Sequence, residues 1–273
     1  MKAFTHKQPR AARVGGGYTL VELMVTVAIA LFLLGGLITI VQNIRQANLN
    51  QQALAQLQDE QRFAMTVLAD IIQAAGYYAN ATGATAASAL PAVGNFKASQ
   101  AFWGTHSAAG YPGTPDSLQV RYQSLSGAPP VGSGLINCDG TTNNAAPGTY
   151  TTYTNVFSVV PPAGAVPGQL LCALGVNGAA PAAQPVPLVN GVQSLEIFYG
   201  VNRNAPSVNY TVDTYLTADQ MNAALPGGGD WMNVSSVRIV LTFTNPLANQ
   251  AGQPRTLTFE RVAAVMARTG PHS

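Results

Sequence analysis

Very few side chains in this sequence could do chemistry. Its 273 residues hold three histidines, two cysteines and eleven carboxylates, and only 9% of them are charged. A Ser/His/Asp or Cys/His catalytic set needs a histidine in the body of the chain. His6 and His272 lie near the termini, and His106 sits in FWGTHSAAG, a small-residue stretch that reads as a surface turn. No Cys/His pair has the spacing of metal ligands. The GGGD run at 227–230 lacks the strand, helix and lysine of a phosphate loop, so it reads as a tight turn before Trp231. Asp213, Asp219 and Asp230 match no calcium loop and read as solvated carboxylates. The triplets that begin at Asn80, Asn209 and Asn233 fit a glycosylation pattern that arises by chance in an Asn- and Thr-rich chain. The expectation is a protein that is not an enzyme and has neither cofactor nor metal.

One carboxylate stands apart. The run GGGYTLVELMVTVAIALFLLGGL, residues 15–37, carries Glu22 near its start, and no further charge occurs until Arg45. At about 1.5 Å rise per residue, roughly 20 apolar residues span a bilayer core, so Leu23 to Val41 can cross a membrane as a helix. The flank MKAFTHKQPRAARVGGG is basic, which predicts a cytoplasmic amino terminus. A secretory signal peptide fits poorly, because its cleavage site follows the apolar region, whereas the small residues Gly15 to Gly17 precede it.

The elements that position these residues follow from composition and pattern. With 27 Gly and 18 Pro, the body should be strand and loop. The formal net charge of +2 is carried by the leader. Lys2, Lys7, Arg10 and Arg13 all precede Gly17, and without them nine basic residues face eleven acidic ones, a net of −2. Body cations such as Lys97, Arg121, Arg203 and Arg255 are dispersed in the sequence, so no nucleic-acid surface is predicted. From Gln42 to Ala75 there is neither Pro nor Gly, and Leu49, Ala53, Leu57, Ala64, Val67, Leu68, Ile71 and Ile72 recur mostly at three or four. Gly76 and GYYANATGATAAS should end the helix, about 58 residues and roughly 87 Å from Tyr18. Its spacing is too irregular for sustained heptads. SLQVRYQSL, TNVFSVV, GQLLCAL, VQSLEIFYGV, SVRIVLTFTN and RTLTFERVAAVMA read as strands, and Val237, Ile239, Leu241 and Phe243 share one face. The connectors at 104–115, 127–134, 161–168 and 177–187 read as loops. Cys138 and Cys172, an even pair in an exported chain, read as a disulfide closing a loop of about 35 residues, worth roughly 3–4 kcal/mol; the alternative is two buried free thiols.

Gly17, Tyr18, Thr19, Leu20, Val21 and Glu22 together resemble the class III leader of type IV pilins and pseudopilins. The resemblance implies cleavage by a prepilin peptidase after Gly17, N-methylation of Tyr18 and retention of the apolar helix on the mature protein. Members usually begin with Phe, and Tyr18 keeps the aromatic ring. Many major pilins have a helix proline where Thr39 stands, which makes Gly35-Gly36 the expected soft point. Glu22 would be the registry residue, its carboxylate neutralised by a neighbour's amino terminus only at the correct axial offset; the alternative is a side chain that snorkels to the headgroups.

The body carries the resemblance further. DSLQVRYQ, INCDG, FSVV, QLLCAL, PLVNGVQSLEIFYGVNRN, YLTADQM, DWMNVSSVRIVLTFTNP and TLTFERVAAVMAR follow in the order of PilW-type minor pilins of type IV pili. The implied fold is α+β, a long amino-terminal helical spine packed on an antiparallel β-rich head with long loops. The expected divisions are a cleaved leader at 1–17, a transmembrane half-helix at 18–41, an amphipathic half-helix at 42–76 and the head at 77–273. The implied role is a minor pilin that helps initiate pilus assembly and sits near the tip. Its implied partners are other minor pilins, the major pilin, the prepilin peptidase and the inner-membrane assembly platform. It would occupy the inner membrane with a periplasmic head, then the extracellular pilus. Two alternatives are a tip-displayed adhesin using exposed Tyr, Trp103 or Trp231, and a minor pseudopilin of type II secretion.

Overall fold

The computed structural model describes residue 17 and residues 19–79, 83–107, 115–127, 132–164, 166–202, 211–224 and 230–269. The chain divides into two compact units, Met1–Gln52 and Ala53–Ser273. Helix α1, Leu20–Gln73, contributes to both and runs for 54 residues. In the first unit its side chains up to Leu49 are all exposed. In the second unit it buries Leu57, Ala64, Met65, Leu68, Ala69, Ile71 and Ile72, an i, i+3, i+4, i+7 stripe. The sequence pattern had singled out most of that stripe, though Leu49 is exposed and Val67 only partly buried.

The helix stops at Gln73 rather than Gly76, because Ala74 to Gly76 form a turn. Gly76 takes φ +75°, the left-handed region that glycine enters without a Cβ penalty. Its N–H donates to the Arg121 carbonyl at 2.9 Å, and the Gln123 N–H donates to the Tyr77 carbonyl at 2.8 Å. The chain therefore exchanges helical hydrogen bonds for pairing with a strand.

That strand belongs to a five-stranded antiparallel meander: β1 Phe102–Thr105, β2 Ser117–Leu125, β3 Tyr150–Val160, β4 Gln169–Val176 and β5 Val186–Asn190, in spatial order 1-2-3-4-5. Gly191, at φ +77°, then turns the chain directly into a second antiparallel sheet. It contains β6 Val192–Val201, β7 Thr214–Leu216, β8 Ser236–Thr244 and β9 Thr256–Ala264, in the order 7-6-8-9. Short helices α2 Ala86–Ala89 and α3 Ala218–Ala224 and a 3₁₀ turn at Asp230–Asn233 decorate the connections. Three short strands, β1, β5 and β7, were not among those read from the sequence; the expected loops at 104–115 and 177–187 overlap the end of β1, at Gly104, and the start of β5, at Pro187.

The two sheets and the buried stripe of α1 share one core. Val237, Ile239, Leu241 and Phe243 on β8 are fully buried on one face, as their alternation predicts. Burying each of these side chains contributes roughly 1.5–3 kcal/mol. The chain is thus α+β, a long apolar amino-terminal helix with antiparallel sheets.

Cys138 and Cys172 are joined in a disulfide with a Cα–Cα distance of 6.0 Å and a sequence separation of 34. Both cysteines are buried, and the Cys138 N–H donates to Oδ1 of Asn155 on β3 at 2.8 Å. Replacing both cysteines with serine should lower unfolding stability by roughly 3–4 kcal/mol. Urea denaturation of the head with and without reductant checks this: reductant should reproduce the double variant, and a loss below about 1 kcal/mol would show that the loop is held without the bridge.

Candidate functional site

The start of α1 is built from Thr19 and Glu22. The Glu22 N–H donates to Oγ1 of Thr19 at 3.2 Å, and the Leu23 N–H donates to the Thr19 carbonyl, also at 3.2 Å. The Thr19 side chain thereby caps one of the donors that a helix start leaves without partners, while its carbonyl accepts the first bond within the helix. The Thr-x-x-Glu spacing is the sequence signature of such a start, and it was legible in TLVE although the motif reading passed over it. Glu22, exposed in the first turn, also faces the positive end of the helix dipole.

Beyond Glu22 the helix is long and apolar enough to cross a membrane, and none of its most apolar window is buried. The two hydroxyls between Leu23 and Val41 are satisfied within the helix. Thr26 Oγ1 donates to the Leu23 carbonyl at 2.9 Å, and Thr39 Oγ1 donates to the Gly35 carbonyl at 3.0 Å. Back-bonding of this kind suits a hydrocarbon solvent, where a free hydroxyl has no water to pair with. Gly35 and Gly36 lie inside the continuous helix. Gly17 is exposed, whereas Tyr18 and the leader before Gly17 lie outside the described residues. Glu22 and the disulfide fall in different units, so the structure describes them as two sites.

In the head, the polar residues that sequence reasoning treated as surface features turn out to hold the core. Asp116 is buried, and its Oδ1 accepts from His106 Nδ1 at 2.9 Å and from the Ser107 N–H at 3.1 Å. Its Oδ2 accepts from the Ile197 N–H at 2.9 Å, and its own N–H donates to the Leu195 carbonyl. One carboxylate therefore ties the start of β2 to β6 of the other sheet. His106 is half-buried in this clasp rather than part of a free surface turn. Beside it, Tyr199 is fully buried and its hydroxyl is held well above the usual tyrosine range, first by desolvation and then by the Asp116 charge.

Arg121, one of the cations dispersed in the sequence, is also buried. Its Nε and Nη2 donate to the Gln100 carbonyl at 3.1 and 2.7 Å, Nη1 to Pro91 at 2.7 Å, and Nη2 to Lys97 at 3.1 Å. The guanidinium lies 4.3 Å from the centre of the Phe96 ring. Burial lowers its pKa to about 10. Trp231, offered above as an exposed adhesive residue, is buried, packs 4.7 Å from Tyr199 and 5.3 Å from half-buried Trp103, and donates through Nε1 to Asn222. Arg203, His6 and His272 lie outside the described residues.

Residues 156–271 match the family model of PilW, the type IV pilus-assembly protein W. Among solved structures the chain is similar to a type IV-like pilin from Thermus thermophilus, at 16% identity and a TM-score of 0.36, with 77% of this chain and 95% of that one covered. No curated protein matches the chain. The carboxy-terminal part of the chain is thus similar to the PilW family of type IV pilus-assembly proteins, and it follows an amino-terminal helix long and apolar enough to cross a membrane.

Proposed function

We propose that the chain is a minor pilin: processed after Gly17, N-methylated at Tyr18, held in the inner membrane with a cytoplasmic amino terminus and a periplasmic head, and then built into the pilus near its tip. The observation that carries this reading is a lone carboxylate, Glu22, set in the first turn of an otherwise uncharged membrane-length helix. A carboxylate in hydrocarbon costs several kcal/mol unless a cation meets it, and a neighbouring subunit's amino terminus would be that cation. The helix half at 18–41 would enter the filament, the half at 42–76 would carry the head, and the head at 77–273 would select neighbours among the other minor pilins and the major pilin. Its role is structural rather than catalytic. The burial of Trp231 and the engagement of half-buried His106 by Asp116 speak against an adhesive or catalytic centre built on them.

The test is the mass of the mature amino terminus from membranes, read beside a Gly17→Ala variant with surface pili counted in both strains. The expected result is a methylated Tyr18 start in the natural protein, with uncut precursor and few or no pili in the variant. A natural protein that starts at Met1, or is cut after Val41, would overturn the reading.

A further inference from the structure

Each sheet has two edge strands, and three of the four edges are blunted. β1 has four residues and β7 three, while β5 carries Pro187 and meets β4 across a register shift. Such short, kinked or proline-bearing edges keep other chains from pairing with them. β9 is built differently: nine residues, no proline and an unbroken register with β8.

The register shows which main-chain groups it presents. The Asn245 N–H donates to the Arg255 carbonyl, and the Val265 N–H donates to the Ser235 carbonyl, both at 2.9 Å. In an antiparallel ladder these bonds alternate, so the odd-numbered residues of β9 turn their N–H and C=O groups toward β8. Thr256, Thr258, Glu260, Val262 and Ala264 therefore turn theirs outward. Among the described residues, no backbone hydrogen bond outside the β8 ladder reaches these five.

We infer that this edge receives an extended segment of another subunit of the same pilus, added antiparallel to β9. The inference rests on the pilus reading above. Position supports it: Nη1 of Arg261 on β9 donates to the Met65 carbonyl of α1 at 3.2 Å, so the strand flanks the helix near Phe63, which is 52% exposed. A subunit packed along that stretch of helix reaches the edge. Strand addition supplies affinity through the main chain and specificity through alternate side chains.

Those alternate side chains describe the occupant. Val262 is 51% exposed, and Thr258 and Glu260 are exposed as well, the latter 3.8 Å from Arg238. An antiparallel partner meets Val262 first, then Glu260, then Thr258. It should read β-branched apolar, any residue, basic, any residue, hydroxyl, since such cross-strand pairs are favourable and like charges are not. A second copy paired symmetrically about Glu260 would set two carboxylates against each other.

The experiment places a photo-crosslinking residue at position 262 of the full chain, in cells that make the pilus, and identifies cross-linked peptides in membranes and sheared pili by mass spectrometry. The expected product joins position 262 to a strand segment of another pilus subunit. Thr258→Pro removes an outward N–H while sparing the β8 ladder, and should reduce that product about tenfold, as expected for one main-chain hydrogen bond. Glu260→Lys, a surface change, should reduce it by a similar factor even if the proline variant folds poorly. Cross-links only to a second copy, only outside a strand, or none at all in pili that contain the chain would overturn the edge inference alone. Absence of the chain from both pili and assembly complexes would overturn the pilus reading together with it.

Discussion

Glu22→Gln should leave cleavage after Gly17 intact and remove most of the chain from pili. Glutamine keeps the size of the side chain and serves equally at the third position of a capped helix, so the Thr19 start of α1 survives. What disappears is the charge. A carboxylate at the centre of a membrane helix costs about 2.5–3.5 kcal/mol on insertion scales, and somewhat less near the end of the span, where Glu22 lies. Assembly that neutralises it regains about 2 kcal/mol, which is roughly a 30-fold preference for the assembled state. Without the charge that preference is lost, along with the axial offset it enforces. The measurement is the ratio of chain in sheared pili to chain in membranes, by quantitative blotting against the natural protein. An unchanged ratio would show that Glu22 snorkels to the headgroups and plays no part in registry.

Arg121→Met should destabilise the head by about 2–4 kcal/mol, a large share of the roughly 5–15 kcal/mol that holds a typical domain folded. Two opposing effects decide the sign. Desolvation penalises the charged guanidinium, as its lowered pKa of about 10 records, and methionine would relieve that penalty. Against it, the carbonyls of Pro91 and Gln100 lose their donor, whereas that of Lys97 keeps the Gln100 N–H, and an unsatisfied buried acceptor costs about 1–3 kcal/mol. The buried Gln100 carbonyl, the partly buried Pro91 carbonyl and the lost contact with the Phe96 ring together outweigh the relief. Arg121→Lys should recover only part of the loss, because an ammonium cannot reproduce the planar fork that reaches three carbonyls from one side chain. Urea unfolding of the three proteins, with limited proteolysis between residues 83 and 101, measures both the energy and the segment released. A loss below about 1 kcal/mol for the methionine variant would mean that water replaces the guanidinium at no cost.

What the sequence by itself determined is whatever is local or periodic. The apolar run with Glu22 near its start reads directly as a membrane-length helix, since composition over twenty consecutive residues fixes solubility in lipid. The stripe around Leu57, Leu68 and Ile72 and the alternation in β8 were visible because helix and strand repeat at fixed periods. β2 and β6 were bounded correctly from their runs of β-branched and aromatic residues. Even Thr19, overlooked as a cap, stood in a recognisable spacing.

Tertiary structure alone decided the fates of the sparse polar residues. Nothing within a few positions of Arg121 announces that carbonyls 21 to 30 residues away converge on it, nor does anything near Asp116 reveal the Ile197 amide 81 residues on. The short strands β1, β5 and β7 carry too few residues for a period to show, and they form because a longer neighbour offers its edge. The helix stops at Gln73 rather than Gly76 for the same reason: the Arg121 carbonyl competes for the Gly76 N–H. Burial and pairing at long range are properties of the folded chain, and they buried a cation scattered in the sequence and a tryptophan offered as adhesive, and clasped a loop histidine to a buried carboxylate.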